Sequence, residues 1–176
     1  MTDPIASLKA VALRWTSPLF YKRIGKRCTF HGRVRLPLPL RNITIGDDCM
    51  IGDAVYFYTG RNSRIEVGNN CSLNSGCHVI ASQYIVIGDN VAIGEYVSIR
   101  DQEHRFRPET GVRGQGFNIA PVTIGSNVWI GRGVYIGPGS SIGSGSIIGA
   151  NSVVRGIFPA GVLIAGAPAR VKKQLS

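Results

Sequence analysis

A six-residue phrase, aliphatic-x-aliphatic-Gly-polar-polar, returns four times in this chain, as "ITIGDD" (43–48), "IEVGNN" (65–70), "IVIGDN" (85–90) and "VTIGSN" (122–127). Counting in sixes from its second aliphatic reaches Ile45, Ile51 and Phe57, then Val67, Leu73 and Val79, then Ile87, Ile93 and Ile99. The count resumes at Ile124, Ile130 and Ile136, and ends at Ile142, Ile148 and Val154. All fifteen positions are apolar. A fixed internal period decides a fold before any local propensity does. Three hexads make a turn of 18 residues, which predicts an all-β, triangular parallel β-helix. Each short strand is one side, and the aliphatics stack inside. Parallel coils stack at roughly 4.7–4.9 Å, so five such turns make a rod about 25 Å long. Gly, Asp and Asn suit the corners because they tolerate left-handed backbone.

The same period interprets the cysteines. Cys49, Cys71 and Cys77 each fall four residues after a stacked aliphatic, where other turns carry valine or serine. Cys28 joins them if Ile24 and Phe30 begin an earlier, less regular turn. They read as small core residues. No Cys-x-x-Cys and no Cys/His pair at zinc spacing is present, so no metal is expected.

The chain of 176 residues is sized for one domain, and its charge of +10 is unevenly spread. Residues 1–41 carry nine Lys or Arg against Asp3 alone, residues 42–104 three against eight acids, and residues 105–176 eight against Glu109. Basic ends suit a polyanionic partner. No recognition motif or set of stacking aromatics points to nucleic acid, so none is expected. No apolar run approaches the ~20 residues of a membrane span, and no signal peptide is evident, so a cytoplasmic protein is expected. Residues 1–23 lie outside the repeat and read as a short amphipathic helix, with Pro4 at its first turn and Ile5, Leu8, Ala12 and Trp15 on one face. That helix either caps the rod or, with the basic residues up to Arg27, touches the inner face of an anionic membrane. The β-helix is assigned to 24–173.

The longest break in the repeat comes after residue 104. His104 ends the 87–104 turn, and the period does not resume until Val122 and Ile124, which leaves residues 105–121 as an extruded loop. Its Gly, Pro and Arg content suits an ordered functional loop better than core.

Two stretches then carry a resemblance: "APVTIGSNVWIGRGVYIGPGSSIGSGSIIGANSVV" (120–154) and "AGAPARVKK" (165–173). The chain resembles the hexapeptide-repeat acyltransferases, left-handed parallel β-helix proteins, and within them the maltose, galactoside and polysaccharide O-acetyltransferase branch. The resemblance spans about residues 24–173. It implies left-handed coils, a homotrimer with active sites between subunits, and acetyl-CoA as acyl donor.

It also implies roles. His104 matches the family's catalytic histidine, and neutral imidazole is suited to taking a hydroxyl proton near neutral pH. The backbone N–H of Arg132 matches the donor to the oxyanion. Asn74, in "LNSGCHVI" one coil before the histidine, matches an acceptor-binding asparagine. For the donor, Ala150 matches a backbone contact to the pantetheine arm, Trp129 lies in the shared "VWIG" phrase, and Arg170, Lys172 and Lys173 offer charge to the phosphates, with Arg155 as a further phosphate partner. The partner that orients His104 is left among Asp101, a loop carbonyl and Glu109, with Asp101 the first choice. Alternation in an extended segment makes Glu103 the poorer candidate.

The expected activity is transfer of acetyl from acetyl-CoA to a sugar or polysaccharide hydroxyl, direct and metal-free. Other readings are a β-helix scaffold or binding module without catalysis, an N-acyltransferase, and a gamma-class carbonic anhydrase. The last needs three zinc-binding histidines, and His31, His78 and His104 are too widely spaced to supply a close pair.

Overall fold

The computed structural model describes residues 23–35 and 42–175. Parallel strands two to five residues long wind into a three-sided left-handed rod. Its first face has seven strands from Arg23–Ile24 to Ile157–Phe158, its second eight from Thr29–Phe30 to Ala169–Gln174, and its third five from Tyr56–Thr59 to Val153–Val154. Each coil crosses the three faces in that order and turns at three corners. The early turn expected at Ile24 and Phe30 is present, paired with Ile45 and Ile51. The helix expected over 1–23 lies outside the described residues except for Arg23, which begins the first strand.

The interior follows the period of six. None of its fifteen apolar positions is more than 3 % exposed. Burying them is the main favourable term in folding the rod. The four cysteines are buried and free, and their thiols donate to corner carbonyls of the next coil: Cys28 to Gly46 at 3.1 Å, Cys49 to Gly68 at 3.2 Å, Cys71 to Gly88 at 3.1 Å and Cys77 to Gly94 at 3.0 Å. Burial pushes the Cys77 thiol up to about 11, which keeps it protonated. Ser140, Ser146 and Ser152 take the same place in later coils and likewise bond to backbone carbonyls.

The recurrent phrase has a separate reason for each polar residue. The first polar side chain accepts the N–H of its counterpart one coil earlier: Asn69 from Asp47 at 2.9 Å, Asp89 from Asn69 at 2.6 Å, Ser126 from Asp89 at 3.1 Å. The second polar residue is left-handed, with φ of 59° at Asp48, 53° at Asn70, 56° at Asn90 and 59° at Asn127. Glycine is needed before them because a Cβ on Gly46 would meet the Gly68 carbonyl oxygen at 2.5 Å.

Coils are not of one length. At the first corner, the bonds from backbone N–H to side chain between neighbouring coils join residues 18 to 22 apart, except where Asp89 meets Ser126, 37 residues on. The surplus leaves at the third corner, just after the strand Ser98–Arg100. Asp101 is the pivot. Its buried carboxylate accepts the backbone N–H groups of Ser82 and Gln83, each at 2.7 Å. Burial raises its pKa above the ordinary 3.8, opposed by those two donors.

Two outcomes are expected. Asn127→Val, which puts a β-branched residue at left-handed φ, destabilises the rod by about 1–2 kcal/mol, while Asn127→Gly is nearly neutral, both read from urea midpoints. Asp101→Asn sets an amide NH2 against one of the two N–H donors and costs about 1–3 kcal/mol. The folded chain binds the Asp101 proton more tightly than the unfolded chain does. This group therefore lowers stability as pH climbs from the ordinary carboxylate value through its raised one, and the asparagine variant lacks that slope.

Candidate active site

The excursion is a β-hairpin. Gln102–His104 pairs antiparallel with Phe117–Ile119, with His104 opposite Phe117 and Gln102 opposite Ile119. The base is closed by Ala120 N–H donating to the Asp101 carbonyl at 2.9 Å, and farther out Arg105 N–H donates to the Gly116 carbonyl at 3.1 Å. The expected loop of 105–121 therefore starts earlier, at Gln102. His104 belongs to the first arm of the hairpin rather than to the coil, because Asp101 is held to the coil below and turns the chain outward.

His104 is exposed, and its ring packs on Phe117 with centroids 4.3 Å apart and planes at 41°. Neither Asp101 nor Glu109 hydrogen-bonds to it. Asp101, the first choice as orienting partner, gives way on this geometry: both its oxygens are committed to Ser82 and Gln83, inside the rod. Glu103 points elsewhere, as the alternation predicts. It accepts two hydrogen bonds from Arg155, at 2.8 and 2.6 Å, across 52 residues of sequence. Arg155 holds the Glu103 carboxyl below the ordinary carboxylate value, and its guanidinium lies over the Tyr135 ring, 5.6 Å from the centroid. This pair gives Arg155 a partner other than the phosphate expected for it. Its charge is engaged at the third corner, and it braces the arm that carries His104.

The remaining candidates gather elsewhere on the rod. Asn74, Arg132 and Ala150 follow second-face strands and stand at the second corner. Coils approach so closely there that a Cβ on Gly94 would sit 2.6 Å from the Arg132 nitrogen. The Arg132 N–H makes no backbone–backbone hydrogen bond among the described residues. Trp129 is 59 % exposed on the second face, in line with Ile147, Leu163 and then Lys173. Val162–Gly166 and Ala169–Gln174 form the antiparallel end of that face and carry Arg170, Lys172 and Lys173, all exposed.

The structure thus sorts the expected site into two groups. Trp129, Ala150, Arg170, Lys172 and Lys173 share the second face and its edge with Arg132 and Asn74, whereas His104 leaves from the third corner with Glu103 and Arg155. The third face lies between them. His78 stands on that face, exposed, edge-on to Tyr56 at 5.7 Å. Among the described residues, no three His, Cys, Asp or Glu side chains come together as a metal site. The Glu103–Arg155 pair is invisible in the sequence, since no local spacing joins residues in different coils.

Comparison with known proteins agrees with this architecture. Residues 121–156 match the bacterial transferase hexapeptide (six repeats), and residues 42–81 match the hexapeptide repeat of succinyl-transferase. The galactoside O-acetyltransferase of Escherichia coli (strain K12) is 37 % identical over 133 residues, 76 % of this chain and 64 % of its own length. Nodulation protein L of Rhizobium meliloti (strain 1021) is 38 % identical over 117 residues, 66 % of this chain and 63 % of its own. The chain therefore spans a little under two thirds of these curated relatives. Among solved structures, a galactoside acetyltransferase in complex with coenzyme A superposes with a TM-score of 0.61 at 26 % identity, covering 98 % of this chain and 82 % of that one. By its repeats, its three-sided rod and these likenesses, the chain is a hexapeptide-repeat protein similar to bacterial transferases.

Proposed function

We propose that the protein is an acyltransferase that moves acetyl from acetyl-CoA to a hydroxyl of a sugar or polysaccharide, in sites shared between the subunits of a homotrimer. The observation that carries the proposal is the separation of the two groups. A histidine on a braced arm leaves the third corner, while an unbonded N–H, an asparagine and a run of basic residues line the second corner and second face. One rod keeps them apart across its third face. Neighbouring rods around a threefold axis set the third corner of one beside the second corner of the next. Similarity to a galactoside O-acetyltransferase, and to a solved relative holding coenzyme A, supports the donor and the acceptor class.

The steps follow from the groups. The acceptor hydroxyl gives its proton to the His104 imidazole as its oxygen attacks the thioester carbonyl. Charge that develops on the carbonyl oxygen is met by the Arg132 N–H, a preorganised donor that needs no reorientation. Collapse breaks the carbon–sulfur bond, and the leaving thiolate takes the proton from the imidazolium. Asn74 of the adjacent subunit holds the acceptor. Arg170, Lys172 and Lys173 face the phosphates of the donor, and Trp129 and Ala150 flank its arm. Glu103 and Arg155 position the arm that bears His104. A cytoplasmic setting goes with the donor, and residues 1–27 give possible contact with the inner membrane face a basic sequence to act through.

Complementation tests the chemistry and the assembly together. His104→Ala lowers acetyl transfer, read as thiol release, by about 10²–10⁴-fold while acetyl-CoA still binds by calorimetry. Refolding His104→Ala with Asn74→Ala as a one-to-one mixture restores roughly a quarter of the wild-type rate, because one neighbouring pair in four then has an intact histidine and an intact asparagine. No restoration places the site within one chain. Full activity of His104→Ala, or no binding of acetyl-CoA, returns the chain to the scaffold reading.

A further inference from the structure

Below the hairpin, along the same third corner, lies a cavity of about 600 Å³. It is lined by Arg61, Arg64, Asn42, Asn62, Gln83 and Tyr84, with the Ser63 hydroxyl turned inward to the Ala81 carbonyl at 2.8 Å. The walls are fixed to the fold. Asn42 donates to the Arg61 carbonyl at 3.0 Å, Arg64 N–H to the Gln83 carbonyl at 3.0 Å, and Gln83 N–H to the Asp101 carboxylate that starts the hairpin. Two coil steps, about 10 Å, separate the level of Arg61 from that of the hairpin base. That span suits one sugar ring with a substituent.

The chemistry of the cavity has one sign. Two guanidinium groups and three amides converge there, and no carboxylate lines it. Arg64 is held over the Tyr84 ring, 5.1 Å from its centroid, and touches Glu66 from outside the cavity at 3.4 Å. Arg61 is exposed and makes no ion pair among the described residues. Two like charges at one cavity repel each other, and an anion between them reverses the sign of that interaction. Guanidinium forks match phosphate and carboxylate in geometry as well as charge.

We propose that this cavity binds the negative group of the acceptor, so that the substrate is an acidic saccharide carrying a phosphate or a carboxylate. The inference rests on the acetyltransferase reading for the word acceptor, but the anion site stands or falls separately. Arg61 and Arg64 take the anion, the amides of Asn42, Asn62 and Gln83 take ring hydroxyls, and a hydroxyl at the far side of the ring faces His104.

Calorimetric titration at low salt, with glucose 1-phosphate, galacturonate, inorganic phosphate and galactose as probes, reads the site without catalysis. The two acidic sugars bind wild type at least tenfold more tightly than galactose does. The double variant Arg61→Gln/Arg64→Gln, whose fold is checked by circular dichroism, loses at least tenfold of that affinity. A preference for glucose 1-phosphate and phosphate over galacturonate names a phosphate, and the reverse names a carboxylate. Equal affinity for acidic sugars and galactose, or unchanged affinity in the double variant, overturns the site. Thiol release from acetyl-CoA with the same sugars separates the two claims. Acidic sugars that bind through the arginines but never release thiol sink the acetyltransferase reading and leave the anion site. Equal kcat/KM for neutral and acidic acceptors sinks the acidic-acceptor proposal and leaves the acetyltransferase.

Discussion

The strands of each coil of this rod satisfy their backbone on the coils above and below, and the rest of the structure is built around that condition. Along the first corner, Gly46 donates to Val67, Gly68 to Ile87, Gly88 to Ile124 and Gly125 to Ile142, all at 2.8–2.9 Å. The third of these steps bridges the whole hairpin with no change in length. Any residue beyond the period must therefore leave at a corner, where the ladder makes no demand. The second and first corners are closed by left-handed residues in successive coils, such as Ala54, Gly76, Tyr96, Gly133 and Asn151 at the second. Extra chain accordingly departs at the third, at residues 60–63, 82–83 and 102–119.

This makes the third corner the one place where the rod carries irregular chemistry. Asp101 ties the hairpin base to the coil below through two short hydrogen bonds, and Glu103 ties its first arm to the second coil above through Arg155. A histidine between two such anchors has little freedom left to lose, which is what the proposed catalytic role requires. The Glu103–Arg155 pair is half-exposed, so its value lies in geometry more than in stability. The same corner then continues downward into the cavity of Arg61 and Arg64, so the cavity and the imidazole are referred to one set of fixed backbone atoms.

Much of this was legible in the sequence, and the limits are instructive. Period six marks the interior because each side of the triangle repeats the same geometry, so an aliphatic at Ile45 fixes what must stand at Ile51 and Phe57. The corner phrase is equally readable, since left-handed φ at Asn70 or Asn90 restricts the residue locally. The site was less so. Asp101 stood close to His104 in the chain and seemed suited to orient it, yet the strand alternation turns its carboxylate inward to Ser82 and Gln83. Arg155 resembled one more basic residue near a basic tail, yet the coil carries it to the opposite edge from Lys172 and Lys173. Arg61 and Arg64 fall outside the recurrent six-residue phrase, and only stacking under Gln83 gives them a shared cavity.

What the sequence determined by itself is whatever depends on neighbours within one turn: the period, the buried aliphatics and small core cysteines, the glycine and asparagine corners, and the long break after His104. Tertiary structure decided whatever depends on contacts between turns. It set the hairpin start at Gln102, the pairing of Glu103 with Arg155 across 52 residues, and the division of the candidate site between two corners. The physical reason is that coil lengths vary with what each corner extrudes, so residues equally distant in sequence stand on different faces, and only the hydrogen-bond ladder records which.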